Sequence, residues 1–158
     1  MTDTPGHARQ FVSDTYAGIC PEALVALNEA NHGHAGAYGG DPWTARAASR
    51  FRDFFETDCE VFFVPTGTAA NALALAALCR PYHSVFCHAD AHVQTDECGA
   101  PEYAGHGIKL VPVEGEGGKL SPAQVREATV RRRDVHSHKP GALSLSQATE
   151  AGDRKSVV

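Results

Sequence analysis

Short apolar runs alternate with helical segments along most of this chain, and that order leaves few folds open. Val61 to Val64 is a β-branched and aromatic run closed by Pro65, which is the pattern of a buried strand. Ser84 to Cys87, Lys109 to Val113 and Ala142 to Ser146 supply three further strand candidates. Between them, the Ala- and Leu-rich stretch Thr68 to Cys79 reads as a helix. Ser121-Pro122-Ala123-Gln124 combines an N-cap, a first-turn proline and a capping-box glutamine, and opens a helix to about Val130. Two helices come earlier. One follows Pro21, with Leu24, Leu27 and Ala30 at helical spacing, and ends near Asn31. In the other, Trp43, Ala47, Phe51, Phe54 and Phe55 form an apolar face opposite Arg46, Arg50 and Asp53. Strands that alternate with helices predict an α/β fold with a mostly parallel sheet and flanking helices, not a bundle or a sandwich.

Composition narrows the function classes. The 158 residues suit one ordinary domain, and a net charge of -5 gives no global attraction to nucleic acid or to an anionic membrane. Arg131, Arg132 and Arg133 form the one basic cluster, which reads as a solvated helix end. Cys20, Cys59, Cys79, Cys87 and Cys98 contain no Cys-x-x-Cys pair, and the start has no signal-like apolar run, so the expectation is a cytoplasmic protein with reduced thiols. The longest apolar stretch, Ala69 to Cys79, is too short to span a bilayer and is interrupted by Asn71. From Asn31 to Pro42 the chain reads NHGHAGAYGGDP, a glycine-rich loop.

In open parallel sheets, ligands bind beyond the carboxyl ends of the strands. After the first strand candidate comes Thr66-Gly67-Thr68, directly before a long helix. Glycine admits a phosphate oxygen close to the backbone, and the free N–H groups and dipole of a helix start favour an anion. An ordinary N-cap with a tight turn is the plainer reading of the same residues. After the second strand candidate come His88 and His92, followed by Asp96 and Glu97. A planar imidazole there can stack on an aromatic cofactor, or be a satisfied core histidine. Gln147 and Thr149 follow the last strand as hydrogen-bonding or capping residues, and His136 and His138 precede it as acid/base nominees.

Taken in order, these segments resemble the low-specificity L-threonine aldolase family, within the β-eliminating lyase group of fold type I pyridoxal phosphate enzymes. The motifs are Ser13-Asp14-Thr15, Gly36 to Pro42, Val64 to Asn71, His92 with Glu97-Cys98-Gly99, Asp134-Val135-His136 and Ser146 to Glu150. The resemblance implies the N-terminal part of a large pyridoxal-phosphate-binding domain over residues 1–152, with 153–158 an unmatched tail. It implies aldol cleavage of L-threonine or a related β-hydroxy amino acid to glycine and an aldehyde. By the same resemblance, Ser13 contacts the substrate carboxylate, and Thr66, Gly67 and Thr68 hold the cofactor phosphate. His92 stacks on the cofactor ring, His136 with His92 bears on the substrate hydroxyl, and Gln147 and Thr149 reach ring substituents. No metal is implied, and a homo-oligomer is expected for the full-length protein, its glycine-rich loop at a subunit boundary. That loop carries His34-Ala35 where many relatives are acidic.

The family would continue beyond Gly152 to an aspartate-bearing strand and the lysine that holds the cofactor, so the 158 residues alone are expected to be inactive. Two other readings stay open at this point. One is a β-eliminating lyase of the same fold acting on another amino acid. The other is a non-catalytic metal-binding module built on Cys87, His88, His92 and Cys98, whose spacing is irregular.

Overall fold

The computed structural model describes residues 17–131, 134–147 and 149, and its packing divides into two compact units, residues 1–62 and 63–158. Among the described residues the first unit holds two helices. Helix α1 (Pro21–Ala30) opens on a first-turn proline. Helix α2 (Pro42–Phe55) opens on Asp41, whose Oδ1 accepts the Thr44 N–H at 2.8 Å, with Pro42 in the first turn. The phenylalanine face expected on α2 is present. Phe51 and Phe55 stack at 6.4 Å, Phe54 meets Phe55 edge-on at 5.2 Å, and all three remain exposed.

The second unit is the α/β part. Helix α3 (Gly67–Leu78) is followed by strand β1 (His83–His88), the short helices α4 (His92–Thr95) and α5 (Ala100–Ala104), and strand β2 (Lys109–Val113). Helix α6 (Pro122–Val130) then leads to strand β3 (Lys139–Leu143). The sheet order is β2-β1-β3 and both pairings are parallel. Parallel neighbours need crossover connections, and the helices provide them. Val85 and Cys87 of β1 join Leu110 of β2 in a core with Leu75 and Cys79 from the α3 side, Val93 and Ile108. Ser84 and Phe86 take the other face, with Val111 and, from α6, Ala128 and Thr129. Both faces of the sheet are therefore covered, and β1 is buried from Ser84 onward. Val85 and Ile108, at 0% and 1% exposure, are each worth about 1.5–3 kcal/mol of burial.

The capping box at Ser121 and Gln124 forms as the sequence predicts. Two strand expectations are corrected. Residues 61–64 adopt no strand, since no neighbouring strand pairs with them among the described residues, and Phe62 and Phe63 stand exposed. The last strand begins at Lys139 rather than Ala142, because the ladder is set by β1, whose first residue His83 faces Lys139. Gly141 forms an irregularity in that pairing, where a Cβ would come within 2.6 Å of the His83 side chain. Among the described residues no helix is long and apolar enough to cross a membrane.

Candidate active site

Because all three strands run the same way, their carboxyl ends share one edge of the sheet. This edge gathers the His88 to His92 segment, the turn at residues 115–119, and Gln147 and Thr149 beyond β3. His88 is buried, and its ring is committed on both sides: Nε2 lies 2.9 Å from the Gly115 carbonyl, and Nδ1 accepts the Asp90 N–H at 3.0 Å. This network assigns the Nε2–H tautomer. His88 is thus a structural histidine that ties β1 to the turn after β2.

His92 is placed differently. It opens α4 with its side chain 51% exposed, while its Nδ1 sits 2.9 Å from Oε1 of Glu97, a side chain with no exposure at all. The same Oε1 accepts a 2.6 Å hydrogen bond from Nδ2 of Asn71 on α3. With Asn71 already donating to that oxygen, the network assigns the proton of the His92 contact to Nδ1. The other oxygen, Oε2, is buried and has no hydrogen-bond partner among the described residues. The chain brings Glu97 inward through two successive left-handed residues, Cys98 at φ 51° and Gly99 at φ 74°. That backbone is why glycine stands at 99.

Asn71 lies one turn into α3, so the start of that helix adjoins the His92 group. Thr66 is the N-cap, its Oγ1 accepting the Ala69 N–H at 3.1 Å. Its carbonyl accepts the Ala70 N–H. Among the described residues the N–H groups of Gly67 and Thr68 have no acceptor, and a Cβ built at Gly67 would meet nothing within 4 Å. Packing therefore does not demand glycine there. Two N–H groups without an acceptor among the described residues, at the positive end of a twelve-residue helix, suit an anion such as a phosphate.

Gln147 and Thr149 lie at the same edge. The Gln147 carbonyl accepts from Lys119 Nζ, and the Thr149 hydroxyl donates to the Gly117 carbonyl at 2.9 Å. These bonds fasten the chain beyond β3 onto the turn after β2. His136 is placed elsewhere. It precedes Lys139, which pairs with the first residue of β1, and it lines a cavity of about 480 Å³ with Ser84, Lys109, Arg131 and His138. That is the amino edge of the sheet, separated from the His92 edge by the length of β1, on the order of 17 Å. The structure does not bring His92 and His136 together. Ser13 and residues 153–158 lie outside the described residues.

The four residues of the metal-module reading do not converge either. Cys87 faces the core at 0% exposure, and burial, with a smaller contribution from Glu102, pushes its thiol up to about 11. His88 spends both ring nitrogens on the backbone. Glu97 and Asn71 fall within two of the sequence motifs, but the sequence alone gives neither of them a role of its own. Their signal was a carboxylic acid shortly after a histidine, and a single amide inside an otherwise apolar helix.

Similarity to known proteins extends over most of the chain. The model of the beta-eliminating lyase family matches residues 10–156. The low specificity L-threonine aldolases of Pseudomonas sp. (strain NCIMB 10558) and of Pseudomonas aeruginosa are each 59% identical over 152 residues, or 96% of this chain. The chain spans 43% of the length of those relatives. A solved threonine aldolase structure from Leishmania major superposes with a TM-score of 0.78 at 30% identity, covering 85% of this chain and 39% of the other. With the family model matching nearly its whole length, the chain belongs to the beta-eliminating lyase family.

Proposed function

We propose that these residues form the phosphate cradle and the ring-facing histidine of a pyridoxal-phosphate-dependent enzyme that cleaves L-threonine, or a related β-hydroxy amino acid, to glycine and an aldehyde. The observation that carries the reading is the half-exposed imidazole of His92, held from behind by a buried carboxyl group beside the anion-accepting start of α3. The names and 59% identity of the Pseudomonas relatives support the choice of reaction.

When bound, pyridoxal phosphate supplies the electron sink for the pair left on Cα when the Cα–Cβ bond breaks. The chain's own tasks follow from its geometry. The N–H groups of Gly67 and Thr68 hold the phosphate. The His92 ring covers one face of the site and excludes water from it. With Nδ1 engaged by Glu97, Nε2 is the atom that takes the substrate hydroxyl proton as the aldehyde carbonyl forms. His136, at the other edge, has no part in this proposal. Self-association belongs to the reading as well, supported by the exposed Phe51, Phe54 and Phe55 cluster.

The test is a graft in which residues 1–152 replace the matching segment of the Pseudomonas aeruginosa relative. The expected result is glycine and acetaldehyde in equal amounts from L-threonine when pyridoxal phosphate is added. His92→Asn is expected to cut turnover by about 100-fold. A folded graft that binds pyridoxal phosphate and releases no glycine overturns the proposal.

A further inference from the structure

We infer that Glu97 is a positioning residue, which with Asn71 holds His92 in the Nδ1–H tautomer and so makes Nε2 its proton-accepting atom. The role assigned to Nε2 rests on the reading above, while the positioning rests on geometry alone. Three observations carry it. Oε1 of Glu97 gathers both contacts, from Asn71 at 2.6 Å and His92 at 2.9 Å, although the partners lie 26 and 5 residues away in sequence. The Glu97 side chain is fully buried whereas the imidazole it holds is half exposed, so the carboxyl group lies behind the ring on the protein side. Its second oxygen is buried, with no hydrogen-bond partner among the described residues.

The last point separates function from stability. A buried carboxyl group with one oxygen doubly engaged and the other unpaired is a poor stabiliser, since desolvation of the unpaired oxygen is not offset. An apolar side chain of the same volume would pack residue 97 at lower cost. What such a side chain cannot do is accept a proton from Nδ1. A histidine with both nitrogens unassigned samples two tautomers, and one of them points an N–H where a proton acceptor is needed. A fixed carboxyl partner removes that tautomer, as partners behind ligating or catalytic histidines do elsewhere. Asn71 adds a link to the phosphate cradle: the helix that presents Gly67 and Thr68 also steadies the group that steadies His92.

The 158-residue chain, labelled with nitrogen-15 histidine, tests this directly by long-range proton–nitrogen correlation at a pH of about 8, above the ordinary histidine range. The expected result is a single Nδ1–H tautomer for His92 in the wild type and in Glu97→Gln, which keeps an acceptor oxygen, and a mixture in Glu97→Met, which has none. A predominant Nε2–H form in the wild type, or an unchanged tautomer in a folded Glu97→Met, overturns the inference. Should Glu97→Met fail to fold, the wild type and Glu97→Gln decide alone, and Nε2–H in either overturns it. In the aldolase graft, Glu97→Met is expected to lower kcat by about 10- to 100-fold with little change in KM. A graft with no aldolase activity and an intact Nδ1–H tautomer refutes the functional reading and leaves the positioning intact. An active graft whose tautomer ignores residue 97 does the reverse.

Discussion

At the carboxyl edge of the sheet, His88 and His92 have ring nitrogens assigned to fixed partners. At the amino edge, His136 and His138 line an open cavity with their side chains exposed. Ordering an imidazole and burying its partner costs conformational and desolvation free energy, whereas a solvated histidine costs little. The difference teaches that residue type and proximity to a strand end do not mark a site. Enforced orientation sets the carboxyl edge apart, and within that edge exposure separates the buried His88, which holds structure, from the half-exposed His92, which can meet a ligand.

Three substitutions would sharpen or break this contrast. The largest effect is expected from His88→Leu, which removes the buried ring that bonds both the Asp90 N–H and the Gly115 carbonyl. A loss of about 2–4 kcal/mol in urea unfolding is expected, and a loss below about 1 kcal/mol would mean that the edge is not held by that ring. Next is Gly67→Val. It should weaken binding of pyridoxal phosphate by about 10-fold or more in an absorbance titration, equivalent to about 1.4 kcal/mol. Stability should move by less than about 1 kcal/mol, since the added Cβ meets nothing within 4 Å. Unchanged affinity would remove the α3 start from the site. The smallest effect is expected for His136→Ala, within about 0.5 kcal/mol in stability and less than about threefold in turnover of the aldolase graft. A tenfold fall in turnover would move the chemistry toward the amino edge and break the comparison.

Elements whose cause is local were legible in the sequence. Pro21, Pro42 and the Ser121–Gln124 pair mark helix starts because caps and first-turn prolines act within four residues. Lys109 to Val113 is the β2 strand with both ends as expected. Ala142 to Ser146 was displaced because Pro140 and Gly141 look hostile to a strand, yet Lys139 N–H already bonds the Tyr82 carbonyl and Ser144 N–H the Phe86 carbonyl. Val61 to Val64 has strand composition, but composition does not supply a neighbour to pair with. At the site, the helix start at Thr66 and the position of His92 could be read directly. The Asn71–Glu97 contact could not, because a pairing across 26 residues is a property of the packed chain and has no sequence period.

Cys87, on the central strand, has a consequence for chemical durability. Burial first, and Glu102 second, push its thiol up to about 11, so the thiol and not the thiolate prevails at neutral pH. Thiolate is the form that peroxides oxidise and that adds to aldehydes. The buried Cys87 sulfur is thus kept chemically silent, and damage by peroxides or aldehydes would begin at the exposed thiols of Cys20 and Cys98.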